Sequence, residues 1–355
     1  MKNSNSLWWK PENYQKKLPY LEQRSRVIAA IRAYFVREKF HEVETPALQV
    51  SPGLEPHLMA FKTSLENPFG LSAEDLYLHT SPEFTMKKLL VAGLPRIFQL
   101  ARCYRNRERS HTHHPEFTML EWYRSGAPYT KIMEDCEALL RACMRAVPER
   151  ALFTWNGVSA DVFGKWERIT VCEAFQRHTK IDIMRTIDEK NNGDAVLLAR
   201  EANRLGISVF ASDSWEDIFF RIFLEKIEGK LGVGAPTILY DYPISMAALS
   251  RPKVSDPRFA ERFELYVCGL ELANAFGELT DARVQRERFE ADMKKKEELY
   301  GFRYPVDEDF LTALEFGFPE SSGIALGVDR LVMLATGASD IDDVLWAPVQ
   351  SGHRI

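Results

Sequence analysis

The sequence predicts an α+β fold, a mostly antiparallel β-sheet flanked by helices. Three observations carry that expectation. Strand-like and helix-like segments are interspersed without the strict alternation of a doubly wound sheet. Two strand-like stretches, 97–105 and 117–123, flank a polar connection rich in His and Arg that is far too long for a tight turn. A second hairpin turns on Cys268-Gly269, with Phe263–Val267 set against Leu270–Ala273. The 355 residues are 45% hydrophobic and 27% charged, an ordinary globular balance with material for one large core or two smaller ones.

Residues 1–20 hold two Trp but show no periodicity and read as an extension, giving an expected N-terminal segment 1–22 and one domain over 23–350. From Arg24 to Lys39, Val27, Ile28, Ile31, Tyr34 and Phe35 recur at helical spacing. A strand at Glu42–Glu44 is stopped by Thr45-Pro46. Helices are expected over 130–147, 194–205 and 215–228, the last with Trp215, Ile218, Phe219, Ile222 and Phe223 as its apolar stripe. Asp281–Leu299 is so charged that a solvated helix is expected, with Lys294, Lys295 and Lys296 on its outer face. Gly323–Ala335 reads as a strand running into a helix.

Charge and cysteine usage narrow the function classes. The net charge is −5, from 46 basic and 51 acidic residues, which argues against a broad nucleic-acid footprint. Five cysteines without a Cys-x-x-Cys pair suggest neither a disulfide framework nor a thiolate zinc site, and a reducing cytoplasm is expected. The first residues lack the apolar stretch of a signal peptide, and no run is long enough to span a bilayer. Hydrolase elbows, phosphate loops of the Gly-x4-Gly-Lys type and His-Glu-x-x-His are absent. What remains is charge in segments that otherwise look buried: Arg102, Arg105, Glu121, Glu264, Glu271, Glu278 and Arg330.

If the Cys268-Gly269 turn has two residues, Tyr266 lies opposite Glu271, and Glu264 and Glu271 become diagonal neighbours on one face, able to share a magnesium ion or simply to face solvent. Plain alternation sends Asn274 and Glu278 to the other face unless a bulge intervenes. His111, His113 and His114 lie too close together in one loop to share a tetrahedral metal ion without outside ligands.

Four ordered segments carry a family resemblance. Phe98-Gln99-Leu100-Ala101-Arg102-Cys103-Tyr104-Arg105-Asn106, continuing through His113-His114-Pro115-Glu116-Phe117-Thr118-Met119-Leu120-Glu121-Trp122-Tyr123, resembles motif 2 of class II lysyl-tRNA synthetases. Lys39 to Pro46 resembles motif 1, Gly323 to Arg330 resembles motif 3, and Glu271 to Leu279 resembles the amino-acid-binding strand of the lysine enzymes. Only some twenty residues precede the motif 1 helix, short of the roughly 70 an anticodon-binding barrel needs. Thr80-Ser81-Pro82-Glu83, Met119 to Tyr123, and Ala325 in place of the synthetases' Gly, resemble the truncated branch that attaches beta-lysine to elongation factor P.

The resemblance implies a class II aminoacyl-tRNA synthetase catalytic core that forms an aminoacyl-adenylate from ATP with Mg²⁺. It implies Arg105 and Arg330 on the phosphates as catalytic cations, and Phe117 stacked on adenine. Asn106, Arg107, His113, His114, Leu272 and Gly327 would complete the nucleotide side, and Glu264 with Glu271 would hold magnesium. Ser81, Pro82, Glu83, Glu121, Tyr123, Asn274, Glu278 and Ala325 would take beta-lysine or lysine. It further implies elongation factor P as acceptor and a homodimer through motif 1 around Pro46, with neither tRNA nor membrane as partner. Arg107, where the family has Glu, and His114, where it has Asn, depart from the pattern. A minimal synthetase charging tRNA or another carrier, and a non-catalytic regulatory paralogue, are the alternative readings.

Overall fold

A computed structural model describes residues 7–70, 73–188, 190–247 and 249–349. Its main sheet runs, edge to edge, through His41–Glu42, Arg96–Tyr104, Glu116–Ser125, Ser321–Gly327, Leu270–Gly277, Asp256–Val267, Thr237–Pro243 and Glu167–Thr170. The inner pairings are antiparallel, and the two outermost strands join in parallel. A smaller sheet of Leu48–Gln49, Phe61–Glu66 and Ala73–Leu78 stands beside it.

Strand alternation gives the two faces of the sheet opposite characters. Phe98, Trp122, Ile324, Ala275 and Phe263 lie side by side across five strands. Two residues along, Leu100, Leu120, Leu326, Ala273 and Leu265 form the next apolar rung. Helices Pro11–Arg37, Tyr129–Arg145 and Val328–Thr336 cover this face with Val27, Ile31, Phe35, Ile132, Leu139 and Leu331, all buried. Each such side chain contributes about 1.5–3 kcal/mol on leaving water, so this face anchors the sheet and frees the other for polar groups.

The first helix begins at Pro11 rather than Arg24. Pro11 opens the first turn, where its missing N–H has no intrahelical partner to lose. Leu21 is fully buried, and Lys17 donates to the Asp342 carbonyl at 2.9 Å. Residues 11–22 are therefore not an aperiodic extension, and the boundary expected between 22 and 23 falls inside one continuous helix. Residues 1–6 of that segment, and residue 350 at the other expected boundary, lie outside the described residues.

The charged helix Ala282–Tyr300, capped by Asp281, also differs from expectation. Gln285, Phe289, Met293 and Lys296 form a buried stripe along it. The Lys296 ammonium is not solvated: it donates to the carbonyls of Pro56 at 2.8 Å and Leu58 at 2.7 Å, and lies 4.6 Å from the centre of the Tyr304 ring. Helices Val171–Thr179, Ala195–Arg204 and Trp215–Lys226 close a second core around Phe175, Trp215, Phe219 and Ile222. No helix among the described residues is long and apolar enough to cross a membrane.

Candidate active site

The polar face of the sheet carries the site. Glu264, Asn274, Ala325, Glu121 and Gln99 form one rung across five strands. Arg262, Phe276, Gly323 and Tyr123 form the next. Tyr266 does face Glu271, as the two-residue turn requires, and Cys268 and Gly269 both have positive φ, 56° and 75°, as that turn demands. Leu265, however, faces Ala273, so Leu272 is an extra residue on its strand. This bulge lets Glu271 and Asn274 share the face with Glu264, which plain alternation forbids.

One end of the face is cationic. The Arg105 guanidinium lies 5.2 Å from the centre of the Phe117 ring, and its buried Nε has no hydrogen-bond partner. Arg330, in the first turn of Val328–Thr336, donates from Nη1 to the Glu271 carbonyl at 2.8 Å and from Nε to the Thr112 carbonyl at 3.3 Å. Its Nη2 meets His113 Nε2 at 2.7 Å. Burial, and then the charges of Arg330 and Arg105, push His113 down to about 4, so Nε2 is the acceptor of an Arg330 N–H.

Between the ends sits a carboxylate pair. Glu264 accepts from Arg262 Nη2 at 2.7 Å and from the hydroxyls of Tyr242 and Tyr266, both at 2.5 Å. Burial, then the Glu264 charge, push Glu271 up to about 7. Three of the roughly four lone-pair sites of Glu264 are used, and the Glu271 side chain is left for an outside cation. Magnesium typically takes one or two carboxylates and fills its remaining positions with water and phosphate oxygens, so this donor set suits it.

The other end is acidic. Ser81 Oγ donates to Glu121 Oε1 at 2.6 Å, and the Tyr123 hydroxyl donates to Glu121 Oε2 at 3.0 Å. Burial, followed by the nearby Glu83 charge, pushes Glu121 up to about 8. Glu83 opens the helix Glu83–Val91, just after Pro82, and its Oε1 lies 2.5 Å from Lys87 Nζ one turn on. The same ammonium lies 2.6 Å from Glu278 Oε2. A cavity of about 170 Å³ opens beside Ser81 and Glu83, lined also by Arg262, Asn274, Glu55 and Asp292.

The structure thus gathers Arg105, Phe117, Glu121, Tyr123, Glu264, Glu271, Asn274, Glu278, Ala325 and Arg330 with Ser81 and Glu83 along one face. Three expected nucleotide residues sit differently. His114 is buried with both nitrogens engaged, Nδ1 toward the Glu116 carbonyl at 2.5 Å and Nε2 accepting from the Val349 N–H at 3.0 Å. The Leu272 side chain packs into the apolar core. Arg107 is exposed at φ 67°. Asn106 accepts from the Arg107 N–H at 2.9 Å, and Gly327 caps the helix that presents Arg330.

Sequence reasoning missed Lys87, Arg262, Glu55 and Asp292. Lys87 had a legible signal, a Glu-to-Lys pair at i,i+4, but such a pair ordinarily reads as helix-surface decoration. The other three depend on contacts between elements distant in the chain.

An antiparallel sheet with fixed arginines at one end of a face and buried carboxylates at the other is the layout of a class II synthetase core. The tRNA synthetases class II (D, K and N) family matches residues 3–351, and the chain belongs to it. Within that class the chain is 38% identical over 345 residues to the elongation factor P-(R)-beta-lysine ligases of Salmonella paratyphi B, Salmonella schwarzengrund and Salmonella typhimurium. The alignment covers 96% of this chain and 98% of each relative.

Proposed function

We propose that this chain is an ATP-dependent ligase that activates (R)-beta-lysine or lysine as an aminoacyl-adenylate and transfers it to a lysine side chain of elongation factor P. The observation that carries this reading is the single sheet face with a cationic end at Arg105 and Arg330 and an acidic end at Glu83, Glu121 and Glu278. A diamino acid lying across Ala325 and Asn274 directs its ammonium groups to the acids and its carboxylate toward the arginines.

That carboxylate attacks the α-phosphorus of ATP, the bond to the β-phosphate oxygen breaks, and pyrophosphate leaves. Negative charge grows on the phosphate oxygens, where fixed guanidiniums stabilise it most, because neither Arg can lose its charge and neither has to reorganise. Arg105 meets the α-phosphate with its free Nε, Arg330 the far phosphates, and Phe117 gives the base a flat support. His113 holds Arg330 in place from the loop side. Glu264 and Glu271 would hold Mg²⁺, which supplies charge neutralisation on the triphosphate. In the second step a neutral lysine amine of the acceptor attacks the adenylate carbonyl and AMP leaves. The chain acts as a homodimer through the Pro46 region, in the cytoplasm, and its net charge of −5 fits a protein acceptor better than tRNA.

The test is exchange of labelled pyrophosphate into ATP with (R)-beta-lysine, L-lysine or no amino acid, followed by transfer to elongation factor P. Exchange led by beta-lysine together with a mass gain on the acceptor is expected. A preference for L-lysine with transfer to tRNA replaces this reading by a minimal synthetase, and exchange with neither replaces it by a non-catalytic paralogue.

A further inference from the structure

Lys87 is 1% exposed, and its ammonium lies within 2.6 Å of two carboxylates from different elements: Glu83, which lines the cavity, and Glu278, which lies beside Tyr123 at Gly323. As a stabilising device this is a poor choice. Buried ion triads are often matched or surpassed by apolar side chains of similar volume, and a Phe310 ring already lies 6.0 Å from the ammonium. Its value lies in what it does to the acids. A buried carboxyl without a counter-charge takes up a proton, and a neutral carboxyl cannot pair with a substrate ammonium.

We propose that Lys87 is a positioning residue of the amino-acid pocket, a built-in counter-cation that fixes the Glu83 and Glu278 carboxylates in place and favours the charged form of Glu278, ready for an ammonium group of the substrate. This rests on the reading of those acids as ammonium ligands. The charges facing Glu278 are Lys87 and Arg251 on the positive side and Glu83 on the negative, with the Tyr123 hydroxyl beside it. Glu83 faces Lys87, Glu121 and Glu55 as well as Glu278. Burial already lifts Glu278 to about 7 with Lys87 in place, so the balance is close, and Lys87 is the cation in direct contact that tips it.

The experiment follows the KM for (R)-beta-lysine from pH 6 to 8.5 by pyrophosphate exchange, with the KM for ATP as the internal reference. In Lys87→Met the amino-acid KM at pH 7 rises about tenfold or more, and the midpoint of its pH dependence moves alkaline by about one unit or more, while the ATP KM stays within about twofold. Lys87→Arg keeps the charge and keeps the wild-type midpoint. A Met variant with an unmoved midpoint, or with both KM values rising together, overturns the proposal in favour of a merely structural role. If Lys87→Met does not fold, Lys87→Gln and the Arg variant answer the same question, and an Arg variant with a displaced midpoint overturns it. Wild-type protein without amino-acid-dependent exchange sinks the functional reading itself, and this inference with it, whereas a normal wild type with unmoved variants sinks the inference alone.

Discussion

Gly323 shows how finely single residues shape the acidic end. A Cβ there would lie 2.3 Å from the Tyr123 ring and 2.5 Å from Glu278 Oε1, closer than real side chains approach. Gly323→Ala must therefore push Tyr123 or Glu278 out of place, and overpacking of this kind costs about 1–3 kcal/mol. The expected result is a KM for the amino acid raised by about tenfold with the KM for ATP little changed, read by the same exchange assay; equal damage to both would show that the clash spreads through the sheet. Ala325 lies on the neighbouring rung, between Asn274 and Glu121, where its methyl group sits on the polar face of the sheet. His114 illustrates the opposite outcome. Its departure from the family pattern is absorbed into backbone hydrogen bonds rather than presented to a nucleotide.

At the scale of elements, one buried ion pair ties the first helix to the motif 2 and motif 3 segments. Arg24, on the first helix, donates from Nη1 to Asp329 Oδ1 at 2.5 Å and from Nη2 to Thr118 Oγ1 at 3.1 Å. Asp329 Oδ2 accepts from the Thr118 N–H at 2.7 Å. Thr118 follows Phe117, and Asp329 precedes Arg330, so this pair sets the spacing of the platform and the cation. Arg24→Ala leaves Asp329 buried without its main partner, an arrangement that typically costs about 3–5 kcal/mol. Urea unfolding should show that loss, with the KM for ATP rising more than that for the amino acid; a loss under about 1 kcal/mol would mean that Asp329 finds another donor.

The whole molecule holds its site at the expense of stability in the ligand-free state. Glu121 is pushed up to about 8, and Glu271 and Glu278 to about 7, against a normal carboxyl value near 4.5. A group whose folded pKa is raised contributes stability below its unfolded pKa and loses it as pH rises through the folded value. By pH ~7.5 the histidines, whose normal value is near 6.5, are mostly neutral in the unfolded chain, and His113, pushed down to about 4, is neutral in the fold well below that pH. Near and above that pH the slope comes from carboxyls raised by burial, Glu121, Glu271 and Glu278, with Glu55 raised in the same direction, and it is downward toward pH ~8. Thermal unfolding of the ligand-free protein should show a falling midpoint across that window, flattened in Glu121→Gln and by saturating beta-lysine with Mg-ATP. A flat ligand-free profile would mean that these acids are already ionised.

How much of this was legible follows from where the information lies. The helices Tyr129–Arg145, Ala195–Arg204 and Trp215–Lys226 and the two central hairpins are written in periodicity and turn chemistry, which act over a few residues. The ordered motifs likewise exposed the family, and named the charged residues that the fold gathers into the candidate site. The tertiary structure decided what depends on partners far along the chain. Packing against the Asp342 region continues the first helix back to Pro11, and the carbonyls of residues 55–58 draw Lys296 out of solvent. The Leu272 bulge, which places Glu271 and Asn274 on one face, is set by the pairing of whole strands. Lys87 becomes part of the pocket only because Glu278, nearly two hundred positions on, folds back against it. Local patterns fix which elements form; burial and charge pairing across the fold fix which side chains meet, and a sequence read along its length contains no distance between them.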